Sequence, residues 1–73
     1  MRYKMIGLKI AYYRKMRGYT QGQLAGKIGI STTYLGQIER GNNGKSYSLE
    51  TLLSIAVGLD IDVNLLLSSS ENI

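Results

Sequence analysis

The chain of 73 residues contains nine lysine or arginine and five aspartate or glutamate residues, giving a net charge of +4. Its apolar fraction of 44% is enough for one small hydrophobic core. Cysteine and histidine are absent, which excludes disulfides and thiolate zinc sites and removes the usual general base. The acids show no paired-carboxylate or calcium-loop spacing. We therefore expect a protein that is not an enzyme and that holds no metal and no cofactor.

The charged residues are distributed unevenly along the chain. Residues 1–38 contain seven bases and no acid, whereas residues 46–73 contain four acids and no base. This pattern favours binding of a polyanion by the first part of the chain, with a solvated basic surface as the alternative. The apolar stretch LLSIAVGLDIDVNLLL is broken by two aspartates and an asparagine and cannot span a membrane. We expect a single cytoplasmic domain over residues 1–73, without membrane contact.

Helical spacing of apolar residues predicts a first helix over about residues 5–16, because Ile6, Ile10 and Tyr13 fall on one side of it. Gly18 is suited to end this helix. Tyr13 and Tyr19 are expected to lie in or beside the core rather than to stack on bases. A set of basic side chains is expected to form a solvated face: Lys9, Lys15, Arg17 and Lys27.

Two short helices are predicted next, separated by a turn. The second helix begins after Thr20, which forms a capping box with Gln23, and it ends at Gly29. The third helix runs from its N-cap, Ser31, to Gly41. A set of apolar residues would fill the space between the two helices: Leu24, Ala25, Ile28, Ile30, Leu35 and Ile38.

The last part of the chain predicts two more helices and no strand. Ser48 is the expected N-cap of a fourth helix, with Glu50 in its first turn and Gly58 at its end. Asp62 is expected to cap a short fifth helix, VNLLL. Several apolar residues predict that the fourth helix is buried on a wide face: Leu49, Leu52, Leu53, Ala56 and Val57. The fold class is therefore all-α, a compact bundle of five helices.

The second and third helices, joined by a turn of about four residues, are typical of a helix-turn-helix. Ala25 supplies the small side chain required where the helices cross, and Gly29 supplies a positive φ. A polar set then faces outward from the third helix: Thr32, Thr33, Gly36, Gln37 and Arg40, with Tyr34 at the edge. Glutamine can pair with adenine, threonine can meet a thymine methyl group, and arginine can bind guanine or phosphate. This surface is therefore suited to DNA.

The sequence resembles the Cro/cI-like, or XRE-type, helix-turn-helix regulators of bacteria and their phages. The resemblance covers about residues 6–67 and is carried by IGLKIAYYRKMRGYTQGQLA, KIGIS, YLGQIERG and SLETLLSIAVGLDIDVNLLL. It implies a lambda-repressor-like bundle of five helices whose third helix enters the major groove of double-stranded DNA.

The resemblance also implies roles for individual residues. Thr33 and Gln37 would face base edges, with Thr32 beside them, and Gln21 would reach an outer base or a phosphate. A further set would contact the DNA backbone, or backbone and base together: Thr20, Tyr34, Arg40, Asn42, Asn43 and Lys45.

Two more features of this pattern concern the third helix. Arg14 and Glu39 would form a partly buried ion pair between the first and third helices, a structural role with phosphate contact as the lesser alternative for Arg14. Gly36 would either be tolerated in the helix or allow a close approach to the duplex.

The leucine-rich end of the chain is expected to form a homodimer interface. Ile61, Leu65 and Leu67 exceed what a five-helix core can bury. The alternative is that these three side chains share one core with another set: Leu59, Val63 and Leu66.

We therefore expect a sequence-specific transcriptional regulator that binds an inverted repeat as a homodimer. Phage-type repressors and restriction–modification controllers are the similar regulators of compact size, and they often act on their own promoters. The alternative is an antitoxin or antirepressor-like subunit whose main task is to bind a partner protein.

Overall fold

A computed structural model describes residues 3–41 and 47–68 of the chain. These residues form five α-helices and no strand, which confirms the predicted all-α, five-helix fold. The helices are α1 (Tyr3–Met16), α2 (Gln21–Ile28), α3 (Thr32–Glu39), α4 (Leu49–Leu59) and α5 (Asn64–Leu67). Within the described residues, none of the helices has the length and apolar character needed to cross a membrane.

Side-chain caps set the beginnings of the middle helices, as the sequence predicts. The Thr20 hydroxyl accepts a hydrogen bond from the Gln23 backbone N–H at 3.0 Å, and the Gln23 side chain accepts one from the Thr20 N–H at 2.8 Å. Ser31 accepts from the Tyr34 N–H at 3.0 Å, and Ser48 caps α4 in the same way. Each cap satisfies backbone donors that the first helical turn leaves without intrahelical partners.

The predicted end of α4 is wrong by two residues. Gly58 lies inside the helix, and Asp60 instead adopts the left-handed conformation beyond it, with φ of 58°. Gly58 is buried against α2, where a Cβ atom would collide with Ile28. Its missing side chain therefore permits a close approach of α2 and α4. Gly29 does take the predicted left-handed conformation in the turn, with φ of 80°.

One hydrophobic core lies between the helices. Its members come from all five of them and are almost fully buried: Ile6, Ile10, Leu24, Ala25, Leu35, Ile38, Leu52, Ile55, Ala56, Leu59 and Leu66. Tyr13 and Tyr19 pack against this core, as expected. The α2–turn–α3 unit is thus held by a small domain that has a single apolar interior.

The expected wide buried face of α4 is wrong. Leu49, Leu53 and Val57 expose 56%, 43% and 76% of their surface. They recur every four residues and form a stripe beside the buried one, which is centred on Leu52 and Ile55. A core of this size covers one face of α4, and the second apolar stripe stays in solvent.

The expected solvated basic face is wrong for Lys9, which is buried, whereas Lys15, Arg17 and Lys27 are exposed as expected. Three of these four side chains also bind backbone oxygens in the C-terminal part of the chain. Arg17 donates to the Leu59 and Asp60 carbonyls at 2.8 and 2.9 Å. Lys27 donates to the Gly58 carbonyl at 3.0 Å. Lys9 is buried and donates to the Ser68 carbonyl. Free carbonyls and the dipole at a helix C-terminus favour such cations.

Candidate nucleic-acid interface

The α3 helix presents a polar outer face between the turn and Gly41. Thr33, Gln37 and Arg40 lie at i, i+4 and i+7, so they share one side of the helix. Thr33 and Arg40 are exposed and Gln37 is half-buried. Leu35 and Ile38 face the opposite way, into the core. The predicted recognition residues are therefore brought together on one surface.

The flanks of this face differ from each other. Thr32 is exposed at the first turn of α3. Tyr34 is half-buried and packs against the core, which fixes one edge of the face. Gly36 was expected on the outer surface, and this expectation is wrong, because Gly36 is buried. The Arg40 guanidinium and the Gln21 amide cover it, lying 3.4 and 3.6 Å from where a Cβ atom would be.

Arg14 and Glu39 join α1 to the end of α3 as a buried ion pair. Arg14 Nε lies 2.7 Å from Glu39 Oε2, and Arg14 Nη2 lies 3.1 Å from Oε1. The remaining guanidinium nitrogen donates to the Tyr19 carbonyl at 2.8 Å. Such a two-pronged contact fixes orientation as well as distance, so it sets the position of the α3 C-terminus relative to α1.

Gln21 connects this ion pair to the outer surface. Its amide nitrogen donates to Glu39 Oε1 at 2.9 Å, and its side chain is half-buried. The structure therefore places Gln21 beside Glu39 and over Gly36 rather than pointing freely into solvent. Thr20 is exposed; its oxygen accepts the capping bond, and its hydroxyl hydrogen stays able to donate.

A helix-turn-helix family model matches residues 10–66 of the chain. The chain belongs to the helix-turn-helix family. Its predicted resemblance to Cro/cI-like, XRE-type regulators is confirmed by this match and by its curated relatives. The transcriptional regulator SinR of Bacillus licheniformis is 39% identical over 67 residues, which make up 92% of this chain and 60% of SinR. The chain thus spans about 60% of the length of the SinR relatives that it matches.

Solved structures of the helix-turn-helix family show the same architecture. The crystal structure of SinR in complex with DNA has a TM-score of 0.79 and 41% identity, covering 88% of this chain and 100% of that one. The restriction-modification controller protein C.AhdI from Aeromonas hydrophila has a TM-score of 0.81 and 31% identity, covering 88% and 90%. Both proteins are similar to this member of the family over 88% of its length.

Two groups of predicted residues stand apart from the α3 face in this helix-turn-helix protein. Asn42, Asn43 and Lys45 lie outside the described residues. Leu65 and Leu67 are exposed on α5, as an interface would require, whereas Ile61 is half-buried against the core. Ile61 therefore fits the alternative prediction, in which its side chain belongs to the core, because the turn that follows α4 directs it inward.

Sequence reasoning missed Tyr47, which lies beside the edge of the α3 face. Its ring meets that of Tyr3 edge to face, with centroids 5.0 Å apart. Its hydroxyl oxygen is buried without a hydrogen-bond partner among the described residues. Burial, with smaller effects from Tyr3 and Tyr34, raises the pKa of Tyr47 to about 12. A single tyrosine after a polar stretch of sequence carries no pattern that would predict this environment.

The described part of the chain contains no cluster of side chains suited to bind a metal ion. Residues 3–41 and 47–68 contain no group of three histidine, cysteine, aspartate or glutamate side chains that could hold a metal ion. Glu39, the acid closest to the α3 face, is occupied by Arg14 and Gln21. The arrangement can therefore offer hydrogen bonds and positive charge to a ligand, which are the means of recognising nucleic acid.

Proposed function

We propose that the chain is a sequence-specific DNA-binding transcriptional regulator that inserts α3 into the major groove. The main observation in support of this proposal is the polar face that Thr33, Gln37 and Arg40 form on the helix-turn-helix. The likeness to SinR, whose structure was solved in complex with DNA, supports the same mode of binding here. The role is binding rather than catalysis, and we place it in the cytoplasm.

Sequence discrimination would come from the outer residues of α3. Gln37 can form a bidentate pair with adenine, and Thr33 can meet a thymine methyl group or a base acceptor. Thr32, at the first turn, is close enough along the helix to read a neighbouring position. Each good bidentate pair contributes about 1–3 kcal/mol of discrimination between bases.

Affinity would come mainly from contacts to phosphates. Thr20 stands at the N-terminus of α2, where backbone N–H groups and the helix dipole favour an anion. Arg40 and Tyr34 flank the recognition face and can bind backbone or base. We assign phosphate contacts in addition to three residues that follow α3 in the sequence: Asn42, Asn43 and Lys45.

In this proposal the Gln21 side chain binds Glu39 in the free protein and DNA in the complex. Its amide donates to Glu39 in the free protein. Glu39 keeps both bonds to Arg14 if Gln21 turns outward, so Gln21 can reach an outer base or a phosphate without leaving a buried charge unpaired. The bond to Glu39 would then hold Gln21 in place until DNA arrives.

We further propose a homodimer on a short inverted repeat. A single helix-turn-helix reads few base pairs, and a dimer places two copies on half-sites about 10–10.5 bp apart. Leu65 and Leu67 are exposed and supply the apolar contact, with Ile61 supporting them from the core side. Autoregulation of its own promoter is the regulatory role we favour.

In vitro selection from random duplex DNA tests the proposal. We expect an inverted repeat that the protein binds at least ~10³-fold more tightly than a scrambled duplex at the same salt concentration. A Thr33→Ala/Gln37→Ala variant should lose this preference, while Ser54→Ala, an exposed change on α4, should keep it. Uniform weak binding to all duplexes would instead favour the alternative, a subunit that acts by binding a partner protein.

The dimer is tested separately by sedimentation equilibrium in the presence and absence of the selected duplex. A Leu65→Gln variant should shift the protein towards monomer and bind an isolated half-site as well as the wild type does. If this variant dimerises normally, α5 is not the interface, whereas the assignment of α3 to base reading is unaffected.

A further inference from the structure

The exposed large apolar side chains of the described residues are confined to three helices. They lie on α1, α4 and α5, and α2 and α3 carry none. The longest run is on α1, where Met5, Leu8, Tyr12 and Met16 expose 41%, 56%, 50% and 65% of their surface. We call these four residues the α1 outer stripe. None of them has a role in the proposed DNA contacts or in the α5 dimer interface.

The α1 outer stripe is continuous along the helix. Its members are separated by three, four and four residues, so they stay on one side of an α-helix. With a rise of 1.5 Å per residue, the stripe is about 16 Å long. The Tyr12 ring is supported edge to face by Tyr13, with centroids 5.1 Å apart, and Tyr13 packs on the core. The stripe thus has a preformed shape with a fixed aromatic group.

The charges that α1 itself carries beside this stripe have one sign. The α1 helix contains no acid. Lys9 and Arg14 are turned inward, which leaves Lys4 and Lys15 as the exposed charges of α1. The surface is therefore an apolar strip bordered by ammonium groups near its two ends. An amphipathic helix with acidic residues beside its own apolar stripe is complementary to it in shape and in charge.

We propose that the α1 outer stripe is a docking surface for an acidic amphipathic helix of another protein. The apolar residues of that helix would cover Leu8 and Tyr12, and its carboxylates would meet Lys4 and Lys15. None of the four stripe residues belongs to the α3 face, whereas Lys4 packs against Gly41 at the end of that face. The inference does not depend on which DNA sequence is read.

Charge also decides against a second copy of this chain as the occupant. Two α1 helices packed antiparallel through the stripe would bring Lys4 of each copy near Lys15 of the other. Such juxtaposition of like charges disfavours pairing. A lipid surface is a poorer fit as well, because the four side chains are only partly exposed and the apolar face that they offer for insertion into a bilayer is small.

A displayed library of helical peptides tests this proposal. Each peptide has about 18 residues and a constant apolar stripe at i, i+3, i+7 and i+11, while every flanking position is either glutamate or lysine. We expect selection on the purified protein to enrich glutamate. The best peptide should bind at least ~10-fold more tightly than its all-lysine counterpart at low salt, and the difference should shrink as salt is added.

Two variants of the protein localise the binding. Leu8→Gln/Tyr12→Gln should weaken the selected peptide at least ~10-fold, because side chains at the centre of an interface dominate its affinity. Leu53→Gln, which changes a comparably exposed leucine on α4, should bind it like the wild type. Thermal unfolding by circular dichroism verifies that both variants are folded, and both should bind the operator unchanged.

Several outcomes would overturn the proposal. Enrichment of lysine, or no enrichment, would remove the charge argument. Equal loss of peptide in the Leu53→Gln variant would show that the peptide binds elsewhere. Sedimentation in which the wild type self-associates and Leu8→Gln/Tyr12→Gln does not would make the stripe a contact between copies. Stripe-dependent binding to anionic phosphatidylserine vesicles, without peptide binding, would make it a membrane surface.

Discussion

Replacing Glu39 by glutamine tests how far the fold depends on the Arg14–Glu39 ion pair. The change keeps the shape of the side chain but removes its charge, so the buried Arg14 guanidinium retains only neutral acceptors, including the Tyr19 carbonyl. Breaking a buried pair in this way costs about 3–5 kcal/mol. Because the side chains are 10% and 6% exposed, some hydration of Arg14 remains, and we expect about 3 kcal/mol.

This loss is large for a chain of 73 residues. Natural domains have about 0.05–0.15 kcal/mol of stability per residue, which gives roughly 4–11 kcal/mol here. A change of 1 kcal/mol shifts Tm by about 4–8 °C in domains of this size. The Glu39→Gln variant should therefore melt roughly 12–24 °C below the wild type, using 3 kcal/mol for the loss.

Urea and thermal unfolding followed by circular dichroism at pH 7 provide the measurement. The matched control is Arg14→Met/Glu39→Leu, which removes both charges and should recover most of the lost stability, since apolar replacement of a whole buried pair is often neutral or stabilising. A Glu39→Gln variant within about 0.5 kcal/mol of the wild type, the range of ordinary surface changes, would refute the reasoning. A double variant as unstable as Glu39→Gln would assign the loss to packing.

Three further predictions concern single side chains. Gln37→Ala should lose about 1–3 kcal/mol on the selected operator and accept other bases at one position, measured by titration of single-base operator variants; unchanged binding would remove Gln37 from the base-reading set. Lys45→Ala should weaken all duplexes alike and make the plot of log K against log salt shallower by about one, whereas Lys27→Ala, whose charge is held by a carbonyl, should leave that slope unchanged. Tyr47→Phe should be neutral or stabilising in urea at pH 7, because the hydroxyl is buried without a partner. The pKa of Tyr47 rises from 10.0 to about 12 on folding, so the folded state favours the neutral hydroxyl. The stability that results is complete below pH 10 and is lost as the pH rises towards 12. The wild type should therefore lose more stability than Tyr47→Phe over this window.

The capping and turn residues were predictable because their signals are local. The Thr20–Gln23 capping box, the Ser31 cap and the left-handed Gly29 each follow from a few adjacent residues. The inward residues of α2 and α3 followed from helical periodicity in the same way. Together these signals were sufficient to predict a helix-turn-helix and the outward position of Thr33.

The errors concern residues whose environment depends on distant parts of the chain. Val57 continues an apolar stripe, yet whether a second stripe is covered depends on how many helices surround α4. Gly36 is on the outer side by periodicity, yet Gln21 from another helix covers it. Lys9 was assigned to solvent because lysine usually is, but the end of α5 happens to place a free carbonyl beside it. Periodicity within one helix contains no information about such neighbours.

Hydrogen bonds within the chain reduce the number of basic side chains that are free to bind DNA phosphates. Of the seven bases among residues 3–41 and 47–68, four donate to oxygens of the chain itself: Lys9, Arg14, Arg17 and Lys27. If these seven bases all neutralised phosphates, they would contribute about −6 to the salt exponent of each protomer; the three that make no such bond would contribute about −3. The affinity for non-specific DNA should therefore be much lower than the composition suggests. A protomer that releases few counterions leaves wrong sites quickly, so the discrimination between an operator and other DNA rests on the base contacts of α3.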